Sequence, residues 1–198
     1  MSSLVIGLTG QTGAGKSTVS EFALELGCKI INADSVAREA LAPGSEVLKR
    51  LAVSFGSDII EKDGSCKRRL LAQRAFSSRE NTDLLNEITH PWIKRRISEY
   101  IEIYRRDGDC IILLDAPQLY ESGCDGLCDT VIAVTAPEDI RMARIIERDG
   151  LTEEEAALRM KAQKSGEFFI ERADHIIDGS LPLKEVKERI SEIIKELT

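Results

Sequence analysis

The chain has 198 residues, of which 42% are hydrophobic and 31% are charged, and its formal net charge is −7 at pH 7. This length and composition predict a single soluble domain over 1–198 with a sizeable core, and the acidic balance argues against a general nucleic-acid-binding surface. No apolar run approaches the ~18 residues of a membrane span, so we expect a cytoplasmic protein that binds neither nucleic acid nor membrane and needs no obligatory protein partner.

A glycine-rich motif follows the first predicted strand. The apolar run 4–8 leads into Gly10-Gln11-Thr12-Gly13-Ala14-Gly15-Lys16-Ser17, which matches the G-x-x-x-x-G-K-[ST] pattern of a phosphate loop. Glycines let backbone amides turn toward phosphate oxygens, and the helix that begins near Lys16 directs its dipole at the same charge. We expect Lys16 to reach the β- and γ-phosphates and the Ser17 hydroxyl to ligate Mg²⁺. The helix ends at Gly27, and its expected inward residues are Val19, Phe22, Ala23 and Leu26.

A second short strand is predicted over 29–31 and ends at Asn32-Ala33-Asp34. Ligands of open α/β sheets gather at the carboxyl ends of the strands, so Asp34 is expected near the phosphate loop. A helix follows, with Arg38 one turn after Asp34 on the same side. An aspartate that opens a helix is ordinarily a plain N-cap, so these residues leave Asp34 as either a cap or a functional carboxylate.

The segment 35–108 is predicted to be an inserted helical subdomain. A helix over 45–55 begins at a serine cap after a Pro-Gly break, and a turn or small hairpin centres on Asp63-Gly64. The basic run 67–69 opens a further helix, in which Arg68 is either a phosphate contact or part of a solvated face. The expected inward residues of the first helix are Val47, Leu48, Leu51 and Phe55, and the helical pattern of the second runs through Leu70, Leu71 and Phe76.

A strongly helical pattern then runs from Glu80 to Arg106 and is interrupted at His90-Pro91, where proline favours a helix start or a kink. His90 is either a cap histidine or a substrate contact, and the spacing favours the cap. So much helix between two strands exceeds what one crossover needs. The insertion is therefore the expected site of a second substrate.

Two apolar strands follow the insertion. The run Cys110–Asp115 ends in an acid and has the pattern of a Walker B element, so Asp115 is expected beside the Mg²⁺ on Ser17. In the loop after this strand, Glu121 faces either substrate or water. A further buried strand is predicted over 129–135. Five dispersed cysteines predict free thiols, and a lone Cys124-x₃-Cys128 pair is not expected to hold a metal.

The region 137–172 is predicted to form a lid. Its first helix opens at Pro137 and carries Arg141, Arg144 and Arg148 as one stripe. Interleaved acids make a salt-bridged surface helix the ordinary interpretation, whereas phosphoryl transfer needs cationic groups that arrive when a site closes. A capping box opens the second lid helix at Thr152.

The chain ends with a short strand and turn over 173–179 and an amphipathic helix, whose expected inward residues are Leu183, Val186, Ile190, Ile193, Ile194 and Leu197. These elements predict an α/β fold with three layers, in which about five parallel strands carry an inserted helical substrate subdomain and a lid. A phosphate loop in this setting is typical of P-loop kinases.

The ordered motifs resemble the dephospho-coenzyme A kinase family over almost the whole chain. They are Gly7-Leu8-Thr9-Gly10 with the phosphate loop, Asn32-Ala33-Asp34 with Arg38, Asp63-Gly64 with Arg68, His90-Pro91, Asp115-Ala116-Pro117 with Leu119 and Glu121, Ala136-Pro137, Arg144 with Arg148-Asp149, Gln163, and Ala173-Asp174. The resemblance implies a transferase that uses ATP to phosphorylate the ribose 3′-hydroxyl of dephospho-coenzyme A, which is the last step of coenzyme A synthesis.

The resemblance also implies roles for individual residues. Asp34 matches the second acid of the family's Asp-Ala-Asp motif and is expected to be the general base. Arg144 and Arg148 are similar to the lid arginines that neutralise the transferring phosphates. The residues expected to line the acceptor pocket are Asp34, Arg38, Arg68 and His90, and those expected to hold ATP and Mg²⁺ are Gly10, Gln11, Thr12, Gly13, Ala14, Gly15, Lys16, Ser17 and Thr18.

The sequence departs from the family's pattern at several positions. The family commonly has Gly-Ile at Gln11-Thr12, Asp at Asn32 and Leu at Gln118, while Arg141 replaces a usual Gln and Asp178 a frequent Asn. None of these departures removes a phosphate-loop ligand or Asp34. Two alternatives stay open: another nucleoside or nucleotide kinase of the same fold, and a nucleotide-dependent regulatory switch.

Overall fold

The computed structural model describes residues 3–197 and contains one five-stranded sheet. The strands are β1 (Leu4–Gly10), β2 (Lys29–Asn32), β3 (Ile111–Asp115), β4 (Thr130–Thr135) and β5 (His175–Asp178). Their order is β2-β3-β1-β4-β5, and the register sets Leu8 opposite Asp115 and Gly10 opposite Val134. All the strands of this sheet are parallel, so the predicted α/β fold is confirmed.

The chain divides into two compact units. The sheet unit combines the part before Asn32 with the part from Ile103 onward, and the helical unit is Asn32–Glu102. The helices of the sheet unit are α1 (Lys16–Glu25), α6 (Glu138–Asp149), α7 (Glu153–Lys161), α8 (Gly166–Ile170) and α9 (Leu183–Glu196). Those of the helical unit are α2 (Ala33–Ala40), α3 (Glu46–Phe55), α4 (Arg68–Ala75) and α5 (Arg79–Arg106), whose last turn belongs to the sheet unit.

The core of the sheet unit joins the strands to α1 and α9. Its fully buried members include Ile6, Leu8, Val19, Ile132 and Ile190. Cys28 also lies in this core, and burial raises the pKa of its thiol to about 11. The thiol therefore stays protonated at neutral pH and packs as a small apolar group.

Two leucines predicted to face this core are exposed. Leu26 is 38% exposed because it is the cap residue after α1, where the chain leaves the helical rotation. Leu183 is 65% exposed because α9 begins at this residue, and the helical period directs Val186 and Ile190 inward instead. These two predictions were wrong, and both residues lie at helix ends.

The helical unit has its own core. The Ser45 side chain accepts a hydrogen bond from the Leu48 backbone N–H at 3.0 Å and caps α3, as predicted. The predicted hairpin is present as an antiparallel bridge between Ile60 and Cys66. Phe76, the last residue of the predicted helical pattern, follows the end of α4 and is 65% exposed.

The long helix α5 is not interrupted at His90-Pro91. It runs through both residues as one helix of 28 residues, so His90 lies inside the helix and the predicted cap was wrong. Pro91 is exposed, whereas Ile88, Ile97 and Ile101 are buried. Burial of these isoleucines before and after Pro91 is the physical reason that the helix continues despite the donor that proline lacks.

Pro91→Ala is expected to stabilise the protein by about 2 kcal/mol. A proline inside a helix costs ~3 kcal/mol, and part of the gain is lost because alanine gives the unfolded chain more freedom. Urea unfolding measures the change, with Glu87→Ala, an exposed substitution one turn earlier, as the control. A Pro91→Ala protein less stable than the parent would contradict this explanation of α5.

Candidate active site

The phosphate loop connects β1 to α1. Gly15 is the N-cap of α1, with φ near 100°, and no side chain of residues 3–197 caps this helix. The backbone N–H groups of its first turn have no partners within the helix, and the helix dipole makes this end positive. This part of the sheet unit is therefore suited to bind an anion.

The loop is packed closely from two sides. Gly13 has φ near 77°, and a Cβ atom there would lie 2.7 Å from the backbone oxygen of Arg141 in α6. On the other side, a Cβ atom on Gly179 would overlap the carbonyl oxygen of Ala14. Glycine is required at both positions because neighbouring backbone occupies the space. The loop is thus fixed between α6 and the turn after β5.

Lys16 and Asp115 form an ion pair beside the loop. Lys16 begins α1 and Asp115 ends β3, and only 15% and 7% of their side chains are exposed. Ser17 is the next residue of α1. The structure therefore places the predicted phosphate-binding lysine and the predicted Walker B carboxylate in direct contact.

The three arginines of α6 share the predicted helical spacing, but their side chains lie in different environments. Arg144 donates from Nη1 to the Gly13 carbonyl at 3.2 Å and from Nη2 to the Gly179 carbonyl at 2.9 Å. Arg141 is only 7% exposed. The α6 surface that carries Arg141 packs against the phosphate loop.

Arg148 contacts an acid in place of the phosphate loop. Its Nε and Nη2 atoms donate to the two carboxylate oxygens of Asp149, each at 2.8 Å, and Arg159 Nη1 donates to the same carboxylate at 2.7 Å. The hydrogen bond from Arg148 holds the pKa of Asp149 below its usual value. This cluster ties the end of α6 to α7.

Two glutamines contact the loop region, and the sequence alone gave neither of them a role at these contacts. The Thr12 backbone N–H donates to Gln163 Oε1 at 2.8 Å, and Gln11 Nε2 donates to the Lys164 carbonyl at 3.4 Å. Gln11 is itself buried. The only sequence signal was the pair of departures at Gln11 and Thr12. The segment between α7 and α8 is thus bonded to the phosphate loop at two successive residues.

Gln163→Ala is expected to raise the Kd for a nucleotide by about two- to tenfold, which corresponds to the loss of one net hydrogen bond. The Thr12 N–H would lose its acceptor, and the loop would have to be ordered when nucleotide binds. Nucleotide titration calorimetry measures the change, and Lys161→Ala at the exposed end of α7 is the matched control. Equal affinity in the two variants would contradict a role for Gln163 in shaping the loop.

In the helical unit, Asp34 is not the cap of α2. The cap is Asn32, whose side chain accepts a hydrogen bond from the Ser35 N–H at 2.9 Å. Asp34 and Arg38 are exposed on α2, and their side chains make no hydrogen bond or ion pair with another residue in the described range 3–197. The alternative that made Asp34 a plain cap is thereby removed.

The other predicted acceptor residues lie on α4 and α5. Arg68 is exposed, and together with Lys67, Arg69 and Gln73 it lines a surface cavity at the start of α4. Glu61 lines the same cavity and pairs with Lys67 at 3.7 Å, so Arg68 and Arg69 supply the net positive charge that favours an anionic ligand. His90 is half-buried within α5.

Comparison with known proteins identifies the relationship of this chain. The family model described as Dephospho-CoA kinase matches residues 4–185. The Dephospho-CoA kinase of Corynebacterium diphtheriae is 43% identical over 94% of this chain and 93% of that protein, and that of Moorella thermoacetica is 37% identical over 98% and 92%.

Solved structures agree with these relatives. The Dephospho-CoA kinase of Campylobacter jejuni superposes with a TM-score of 0.73 at 28% identity, covering 98% of this chain and 96% of that one. A Shikimate Kinase of Bacteroides thetaiotaomicron, at 15% identity and a TM-score of 0.58, covers 97% and 98% and shares the fold alone. The family match over nearly the whole chain, with the predicted motifs in place, shows that this chain belongs to the dephospho-CoA kinase family.

Proposed function

We propose that this protein transfers the γ-phosphoryl group of ATP to the 3′-hydroxyl of dephospho-coenzyme A and releases coenzyme A and ADP. The observation that supports it most is the phosphate loop with its Lys16–Asp115 ion pair, in a chain of this family. In this proposal the nucleotide binds to the sheet unit, and residues of the helical unit contact the acceptor.

The nucleotide phosphates bind over the loop 10–18 in this proposal. The uncapped N-terminus of α1 supplies backbone N–H donors, and the Lys16 ammonium supplies a point charge. That ammonium has three N–H donors, so it can contact a phosphate oxygen while it keeps Asp115. Arg144 and Arg148 are assigned to the transferring phosphates, and Arg144 already lies against the loop through the Gly13 carbonyl.

The residues beside Lys16 fit Mg²⁺. Residues 3–197 contain no group of three or more His, Cys, Asp or Glu side chains that would hold a metal by themselves. Mg²⁺ in nucleotide sites commonly uses one or two protein oxygens and completes its shell with phosphate and water. The Ser17 hydroxyl and the Asp115 carboxylate are such oxygens, and the ion would neutralise charge on the phosphates.

Asp34 is assigned as the general base. Its exposed carboxylate has no partner among the described residues, so it is available to a ligand. It would accept the proton of the ribose hydroxyl while that oxygen forms its bond to the γ-phosphorus and ADP leaves. Arg38, Arg68 and His90 are assigned to the acceptor, and the cationic cavity at Arg68 suits its phosphates.

The test is an assay of ADP release with ATP and Mg²⁺ against a panel of acceptors. Dephospho-coenzyme A is expected to stimulate release strongly, whereas shikimate, nucleosides and nucleoside monophosphates are expected to leave it near the rate without acceptor. Stimulation by another acceptor in place of dephospho-coenzyme A would support the alternative of a different small-molecule kinase. ATP binding without any acceptor-dependent release would support a regulatory switch.

A further inference from the structure

The guanidinium of Arg141 is buried without a carboxylate partner. Its Nε atom donates to the Ala136 carbonyl at 3.2 Å, but its buried Nη1 atom has no hydrogen-bond partner among residues 3–197. Burial lowers the pKa of this guanidinium, and the charge of Glu138 one turn earlier only partly opposes the effect. Arg141 is therefore a cation that the fold leaves largely uncompensated.

Such a group is costly in a protein interior. A buried charge without an ion-pair partner destabilises the folded state, and an unpaired buried N–H adds a desolvation penalty. A neutral amide such as Gln could be buried at this position without any net charge. Local rules are most often broken where a functional gain offsets the cost.

Arg141 lies directly beside the phosphate loop. Its Cα atom and backbone oxygen would be 3.0 and 2.7 Å from a Cβ atom on Gly13. Its guanidinium is bound to Ala136, which immediately follows β4, and Val134 of β4 lies opposite Gly10 at the start of the loop. The unpaired charge is thus held at the end of β4, beside the end of β1 from which the loop begins.

We propose that Arg141 raises the affinity for ATP by acting as a buried positive charge behind the phosphate loop, without touching the nucleotide. The attraction to the triphosphate acts through the packed backbone of the loop, where water screens it little. The cost of burying the charge is present without ligand and is recovered when ATP binds. This inference rests on the nucleotide site of the proposed function, and it adds Arg141 to the residues that determine ATP affinity there.

The variants that test this proposal change the charge and keep the size similar. Arg141→Gln and Arg141→Met remove the charge, whereas Arg141→Lys keeps it. For the first two we expect an ATP KM about tenfold higher. This factor corresponds to the attraction between two unit charges about 10 Å apart at an effective dielectric constant of about 20. Their kcat is expected to stay within about twofold, and their ligand-free melting temperature is expected to equal or exceed that of the parent. Arg141→Lys is expected to keep the parent's ATP KM within about threefold.

The neutral variants are expected to be at least as stable as the parent but to bind ATP more weakly. A purely structural role of Arg141 would not produce this combination. Neutral variants that melt earlier and keep the parent's ATP KM would overturn the proposal, and so would neutral variants that melt later with an unchanged KM. Calorimetric titration with ATP alone repeats the comparison without acceptor. If the parent binds ATP but does not phosphorylate dephospho-coenzyme A, the proposed function fails, while the binding comparison still decides the role of Arg141.

Discussion

Lys16→Ala is expected to lower kcat/KM by about 10²- to 10³-fold, because it removes a preorganised cation from the phosphates where charge moves during transfer. The loss should appear in both nucleotide affinity and turnover, since in the proposed function the ammonium contacts the phosphates before and during the reaction. Steady-state assays at varied ATP concentration separate the two effects. Lys29→Ala, at an exposed position of β2, is the matched control.

The same substitution is expected to destabilise the fold, because Asp115 is only 5% exposed and would lose the cation it pairs with. The double variant Lys16→Ala with Asp115→Asn removes both charges and is expected to regain much of the thermal stability while activity stays low. This comparison separates unfolding from a lost phosphate contact. Near-normal activity of well-folded Lys16→Ala would remove the phosphate-loop assignment.

Asp34→Asn is expected to lower kcat by about 10²-fold or more and to leave ATP binding nearly unchanged. The amide keeps the shape of the side chain but cannot accept the proton of the ribose hydroxyl. The effect on stability is expected to be small, because Asn32 caps α2 and the Asp34 side chain has no partner within residues 3–197.

Single-turnover rates with preformed enzyme and ATP measure this effect apart from product release. Asp83→Asn, an exposed change on the helix α5 of the same unit, is the matched control. Unchanged turnover in Asp34→Asn would exclude Asp34 as the base. If Asp34→Asn weakened nucleotide binding and left the turnover rate unchanged, Asp34 would have a role in binding and not in catalysis.

Much of the nucleotide site could be predicted because its signals are local. The phosphate loop has a fixed spacing between a strand and a helix, and Asp115 ends a run of apolar residues that reads as a buried strand. Parallel strands bring their carboxyl ends to one edge of the sheet, so the neighbourhood of Lys16 and Asp115 follows from topology. The structure confirms the five parallel strands on which this inference depended.

The features that the sequence did not predict depend on tertiary contacts. Pro91 would end an isolated helix, but the isoleucines buried before and after it in the sequence keep α5 continuous. The short helix α8 has five residues and begins with Gly166, so its helical pattern is too short to recognise. The contact between Thr12 and Gln163 joins positions 151 residues apart, and no local pattern indicates it.

The burial of Arg141 is a further case. Spacing alone places it on the same helix as Arg144 and Arg148, and an arginine among acidic residues ordinarily faces solvent. Its environment is set by Gly13 and by the end of β4, which only the folded chain brings together. Helix periodicity identified α6 correctly but could not show which arginine would be buried.

The most direct test of the account is to identify the product formed from ATP and dephospho-coenzyme A. Mass spectrometry is expected to show the gain of one phosphate, and phosphorus–proton NMR correlation is expected to place that phosphate on the ribose 3′-oxygen. A phosphate on another hydroxyl would contradict the proposed acceptor geometry. Unmodified dephospho-coenzyme A after prolonged incubation with active, ATP-binding protein would contradict the proposed function itself.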